Sequence, residues 1–291
     1  MYTYIKKVLP KSSIELVVDI KKEFVKKEYD KAFNKLLESL QIEGFRKGKV
    51  PADIGKKHIK GEEIYKEAIQ SIIPGIYEEI VKKEDIKPII NPKIELTKAK
   101  ENEDWQVKFM IAVKPVFKLP DIKKIASEVK GNAKKDEIWV PGKDPKTEPE
   151  KEDAERKKQK TLNALLEAMI TKTKIEIPDL LIETELEYKL TGLLDEVQKI
   201  GLTIDGYLKS KNTNMDDLKA KYRHEIDETY RVEFILNEVA DLNNIQVEQK
   251  DLDKIFGNIK DEKAKQTAIQ NSYFYASVVR KQKTLEYLLN L

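Results

Sequence analysis

The hydrophobic period of this chain switches between strand and helix over its first 120 residues and is helical from about 151 onwards, and that limits what the chain can fold into. Ile14, Leu16, Val18 and Ile20 alternate with Glu15, Val17 and Asp19, the period-2 pattern of a half-buried strand. "IINPKIELTKAK" and "WQVKFMIAVKPVF" repeat that pattern around an acidic turn, "ENED", with Val107, Phe109, Ile111 and Val113 on one face. They predict an antiparallel hairpin. Between the strand and the hairpin the period becomes helical. Phe24, Phe33, Leu36, Leu37 and Leu40 mark a helix over 22–40. A short helix starts at Pro51, whose fixed φ suits a first turn. A longer one covers 62–83, with Ile64, Ala68, Ile72, Ile76 and Ile80 spaced by four. Pro74 is expected to kink it or to mark a junction.

Residues 118–160 have a different character. They hold 13 cations and 10 acids, and Pro141, Pro145 and Pro149 fall close together. The stretch 121–150 therefore reads as an exposed linker passing into a charged helix. Ile138, Trp139 and Val140 interrupt it and read as a local anchor onto a neighbouring surface. From about 151 onwards the whole chain reads as helix. "LNALLEAMI" is amphipathic. A long helix begins after Ile177, with Pro178 and Asp179 in its first turn, and Gly201 is its expected stop. Another begins at a cap, Asn214, and carries Met215, Leu218, Tyr222, Ile226, Tyr230, Phe234 and Leu236 as its stripe. "VEQKDLDKIFGNI" is a short helix and "SYFYASVVRKQKTLEYLLNL" a closing one. The expected architecture is an α+β domain of antiparallel strands and helices over 1–120, a linker over 121–150, and an elongated all-α domain with helical arms over 151–291. A charged fraction of 37% against 40% apolar residues fits long exposed helices better than one sphere.

Several classes of chemistry are unsupported. The 291 residues include no cysteine, which excludes disulfides and thiolate chemistry. The two histidines, His58 and His224, lie far apart and read as surface residues. There is no Walker loop, GxGxxG or HExxH motif, so no nucleotide, metal or other cofactor is implied. Acid pairs such as Glu62–Glu63 and Asp216–Asp217 read as solvated helix faces. The N-terminal stretch lacks the apolar core of a signal peptide, and no apolar run reaches the roughly 18 residues of a membrane span. A cytoplasmic location with no membrane partner is the expectation.

One short stretch stands apart. The net charge is only +3, from 55 cations and 52 acids, so any polyanion contact should be local. Between Gly44 and Lys60 the chain places Arg46, Lys47, Lys49, Lys56, Lys57 and Lys60 against a single acid, Asp53. Phe45 sits at the head of this run. The residue pattern leaves two roles open for it: tucked inward beneath a glycine-containing loop, or exposed as an anchor for a partner's apolar pocket.

"GFRKGKVP", Gly44 to Pro51, resembles the ribosome-binding signature of trigger factor, the bacterial chaperone family at the nascent-chain exit. The surrounding strand, helices and hairpin are similar to that family as well. "KTLNALLEAMITKTKIEIPDLLIETELEYKL" resembles its helical half less specifically. The resemblance covers about 1–120 and 151–291. It implies that Phe45, Arg46 and Lys47 contact a large-subunit protein and nearby ribosomal RNA, that Gly44, Gly48 and Pro51 shape the loop, and that Lys49 adds charge. It implies unfolded nascent polypeptides as clients, held without ATP, and allows a homodimer away from the ribosome. Met169, Ile170, Tyr273, Phe274 and Tyr275 are candidate client contacts, with helix–helix core as their other reading. The family usually carries an FKBP-like prolyl isomerase domain between its two parts. Here about 30 residues, 121–150, occupy that place, below the roughly 50 residues of an ordinary domain. A holdase without enzymatic activity is the expectation. A residual prolyl isomerase and an extracytoplasmic holdase of the SurA type are the alternatives.

Overall fold

The structure is a computed structural model that describes residues 1–100, 103–136 and 150–291. Ile138, Trp139, Val140 and the prolines at 141, 145 and 149 lie outside the described residues. The chain divides into two compact units, Met1–Lys114 with Pro178–Thr184, and Pro115–Ile177 with Glu185–Leu291.

The first unit is built on a four-stranded antiparallel sheet. Its strands are β1 (Tyr2–Leu9), β2 (Ser13–Ile20), β3 (Lys93–Lys98) and β4 (Trp105–Ala112), in the order β1-β2-β4-β3. The expected hairpin of β3 and β4 is present, with Ile94 opposite Phe109. Trp105 closes it by donating its indole N–H to the Lys100 carbonyl at 3.2 Å. β4 also pairs with β2, with Leu16 opposite Phe109 and Val18 opposite Val107. The alternation therefore puts Leu16, Val18, Ile20, Val107, Phe109 and Ile111 on one buried face. The sequence reading did not delimit β1. Its lysines and tyrosines blur the period, because it is an edge strand with one side in water.

Two helices cover the buried face: α1 (Lys22–Ser39) and α3 (Gly61–Lys83), with α2 (Ala52–His58) between them in the chain. The four-residue stripe of α3 is its buried side, since Ile64, Ala68, Ile72, Ile76 and Ile80 all enter the core. α3 continues through Pro74 as one helix. Val25, Ala32 and Phe33 bring α1 to the same core. Tyr77 of α3 lies 5.3 Å from the ring of Phe109. At the end of α3, Glu84 accepts from the Tyr4 hydroxyl at 2.6 Å and from Lys6 at 3.0 Å. These bonds hold the Glu84 carboxyl below its usual range and fasten β1 to the helix layer.

The second unit is helical. It comprises α4 (Ile122–Asp136), α5 (Glu150–Lys172), most of α6 (Asp179–Lys199), α7 (Ile204–Ser210), α8 (Met215–Leu242), α9 (Gln249–Gly257), α10 (Glu262–Gln270) and α11 (Ser272–Asn290). α4 departs from the linker expected over 121–150. Asp121 caps it, accepting from the Lys124 amide at 3.1 Å. Ile125 and Ala126 are buried, while Ile122 and Val129 pack against the same core. That i, i+3, i+4, i+7 spacing is a helical stripe hidden among lysines. Leu165 and Met169 of α5, Ile235, Leu236 and Val239 of α8, and Leu288 of α11 complete the core.

The predicted helix boundaries hold where a cap sets them. Gly201 takes φ +75° beyond α6, with Leu202 N–H donating to the Val197 carbonyl and Gly201 N–H to that of Gln198. Asn214 caps α8 by accepting from the Asp217 amide at 2.9 Å. α6 and α8 are joined by Lys189–Glu225 at 3.5 Å and by Tyr230 donating to Glu185 at 3.4 Å. Burial and that carboxylate push the Tyr230 hydroxyl up to about 12.

The packing makes Phe109 the center of the first unit. Phe109→Ala should lower its unfolding free energy by about 3–5 kcal/mol, through lost burial and the cavity left between sheet and α3. Urea unfolding followed by Trp105 fluorescence in a Trp139→Phe background measures this. A loss under about 1 kcal/mol would show that the site collapses around the gap.

Candidate functional site

The stretch from Gln41 to Pro51 is the loop between α1 and α2. It is made of two tight reversals. Phe45 N–H donates to the Ile42 carbonyl at 3.0 Å, and Lys49 N–H donates to the Arg46 carbonyl at 2.9 Å. Gly44 has φ +87° and Gly48 φ +73°, in the left-handed region that side chains with a Cβ rarely adopt. The two glycines differ in their surroundings. A Cβ at Gly44 would meet nothing within 4 Å, whereas one at Gly48 would stand 3.2 Å from the Glu38 carbonyl oxygen. Gly48 therefore lets the returning arm of the loop pass against the end of α1.

Val50 is the loop's inward residue and is buried. Pro51 follows as the N-cap position of α2, one residue before the helix rather than within it. Between Gly44 and Lys49 every residue is exposed. Phe45 is 38% exposed, so its ring is partly open to solvent rather than sealed beneath the loop. Arg46, Lys47 and Lys49 are exposed beside it and, among the described residues, have no ion-pair partner. The loop thus presents one partly exposed aromatic ring next in sequence to exposed cations, on a backbone held by two turns and one buried valine.

α2 places more charge beside the loop. Gly55 and Ile59 are its buried positions, and a Cβ on Gly55 would come within 2.3 Å of Leu37 Cδ1. That close approach ties α2 to α1. Lys56, Lys57, His58 and Lys60 are left exposed.

The five candidate client residues separate. Met169 is a correction: it is fully buried in the core where α4, α5, α8 and α11 meet, and has no surface to offer a client. Ile170 is half-buried and packs against the same core. Tyr275 is half-buried, edge-on to Phe256 at 5.5 Å and to Phe274 at 5.7 Å. Tyr273 and Phe274 are exposed, at 89% and 63%. They line a groove of about 820 Å³ together with Ile245, Val247 and Val278. The sequence reading missed those three, because apolar residues in a loop and on the open side of α11 fit no single period. Beside the groove, Arg280 bonds the Ile245 carbonyl and the Asp241 carboxylate at 2.9 and 2.7 Å. Lys283 pairs with Asp251, which also accepts from the Glu248 amide, so the Asp251 carboxyl lies below its ordinary range.

Among the described residues no cluster of metal ligands occurs, and no helix is long and apolar enough to cross a membrane. The fold presents an α+β unit with an aromatic–basic loop, and a helical unit with a groove lined by apolar, polar and charged side chains.

Comparison with known proteins assigns it. The family model described as bacterial trigger factor protein matches residues 1–139, and that of the trigger factor C-terminus matches 143–289. The chain belongs to the trigger factor family. The two matches nearly abut, so no prolyl isomerase domain separates them. The trigger factor of Lactococcus lactis subsp. lactis is 35% identical over 114 residues, 39% of this chain and 27% of that protein. That of Staphylococcus aureus (strain JH9) is 34% identical over 113 residues, 39% of this chain and 26% of that protein. The aligned stretch thus spans about a quarter of the length of these relatives. A solved structure concerning promiscuous substrate recognition in folding and assembly activities of the trigger factor chaperone shares the fold. Its TM-score is 0.64 at 15% identity, covering 98% of this chain and 99% of that one.

The loop geometry makes a comparative prediction. Gly48→Ala should cost more than Gly44→Ala, which bears only the left-handed strain of about 1–2 kcal/mol. Thermal unfolding of both variants measures the difference, and equal losses would mean that the Glu38 carbonyl moves aside freely.

Proposed function

We propose that this chain is a ribosome-docked holdase that acts without ATP and without prolyl isomerase activity. The observation that carries the reading is the loop of Gly44 to Pro51 in a trigger factor family member. Phe45 is partly exposed and adjoins exposed cations in sequence, on a backbone held by two turns. An exposed aromatic of this kind supplies the apolar anchor of a protein interface, while Arg46, Lys47 and Lys49 supply steering and contacts to carboxylates or phosphates. The partner is the large subunit at the nascent-chain exit, protein and RNA together, in the cytoplasm.

Docking makes weak client contacts sufficient. A tether raises the local concentration of nascent chain, so individual apolar contacts need little affinity. The groove bearing Tyr273 and Phe274 supports that role, since it offers exposed rings with polar side chains at its rim. Clients leave as they bury their own apolar surface. No nucleotide-binding loop is needed for such a cycle.

Cosedimentation with ribosomes tests the docking. Replacing Phe45, Arg46 and Lys47 together by alanine should lower ribosome affinity by about tenfold or more, as loss of an interface anchor does. Equal pelleting of wild type and variant, both folded by circular dichroism, would sink the docking claim. A proline-peptide isomerisation assay should give the background rate. In aggregation suppression, Tyr273→Ser with Phe274→Ser should weaken holding without abolishing it. Unchanged suppression would remove that groove from the client surface.

A further inference from the structure

We infer that the exposed face of α2 and the corner leading into α3 form a second contact, in which Lys56, Lys57 and Lys60 meet RNA backbone phosphates independently of the Phe45 anchor. The inference deepens the docking reading and rests on it for the source of the RNA. Gly55 and Ile59 turn inward against α1, so all three lysines are exposed. Among the described residues none of them has an acidic partner. Some neighbouring lysines in the same unit are paired, although Lys26, Lys27 and Lys66 have no ion-pair partner among the described residues. Lys35 of α1 pairs with Glu67 of α3 at 2.5 Å, Lys31 pairs with Glu28 at 2.7 Å, and Lys21 with Asp104 at 2.9 Å. The surface from Gly44 to Lys60 is thus a locally unneutralised field in a chain that otherwise pairs many of its charges. Asp53 is the single acid within it, and Glu62 and Glu63 follow only at the first turn of α3.

The chemistry of this face favours RNA over an acidic protein. A protein interface needs an apolar core that excludes water. The exposed part of α2 offers only Pro51 and Ala52 as apolar residues. Binding there must be Coulombic, and a phosphodiester backbone presents the closely spaced charges that suit dispersed lysines. Lysines near the end of α2 also complement its dipole, which is a structural role for Lys56 and Lys57. That role does not extend to Lys60, which begins α3, and it leaves the salt dependence of RNA binding unmoved.

The test is a Lys56→Gln, Lys57→Gln, Lys60→Gln variant of the full chain, compared with wild type and with Phe45→Ala. Each is titrated over a range of salt concentrations against ribosomes and against a short fluorescein-labelled RNA hairpin. Wild type should bind the hairpin at low salt. The lysine variant should reduce the slope of log K against log salt by about 2 to 3, one counterion contact per lysine. Phe45→Ala should weaken ribosome binding with its slope unchanged. An unchanged slope in the lysine variant overturns the proposal. So does weakened ribosome binding by that variant together with no wild-type affinity for the hairpin, which assigns the face to an acidic protein. If wild type fails to pellet with ribosomes yet binds the hairpin with the predicted slopes, the docking reading falls and the phosphate surface stands.

Discussion

Burial of one face of the sheet against α3 is the interaction on which the first unit depends. Leu16, Val18, Val107, Phe109 and Ile111 come from two strands that are paired with each other, and they meet a helix whose buried stripe, Ile64, Ala68, Ile72, Ile76 and Ile80, recurs every fourth residue. Apolar burial of this kind is non-directional, but the two periods are not. A slip of one residue in β2 or β4 would expose the whole face. The match therefore locks the sheet register and sets where α1 lies, because Val25, Ala32 and Phe33 complete the same core. The loop from Gly44 to Pro51 inherits its position from that core. It has little apolar substance of its own beyond Val50.

Ordering a loop for binding requires that its backbone be held while its side chains stay free. Here the restraint comes from two short turns, two left-handed glycines and the close passage of Gly48 by the Glu38 carbonyl. The surrounding cations are unpaired, in contrast to Lys31 and Lys35 nearby. An interface residue that is already extended and unpaired has less to give up on binding than one taken from an intramolecular ion pair.

The second unit solves a different problem. Its core of Ile125, Ala126, Leu165, Met169, Ile235, Leu236, Val239 and Leu288 is small for so many helices. Much apolar surface is consequently left at its margins, including Tyr273, Phe274 and Val278. The high charge fraction keeps such a surface soluble. α4 shows how little apolar content a helix needs here. Asp121 starts it, and a four-residue stripe anchors it among lysines. This helix lies within the N-terminal family match, residues 1–139.

The elements legible in the sequence were those with an unbroken period or a strong cap. The β2 and β4 faces, the α3 stripe, Asn214 at α8 and Gly201 after α6 are all local statements, determined by residues within a few positions of one another. The basic run with its lone aromatic was equally plain. β1, α4, α7 and α10 were not read, since their apolar residues are few or their outer sides face water. Tertiary structure alone decided which candidates are accessible. Met169 and Tyr273 are both apolar residues on amphipathic helices, yet one is sealed by three neighbouring helices and the other stands in solvent. Phe45 could have folded inward by its sequence, and only the folded loop shows it 38% exposed. Exposure depends on what packs against a residue from elsewhere in the chain, and no local period carries that.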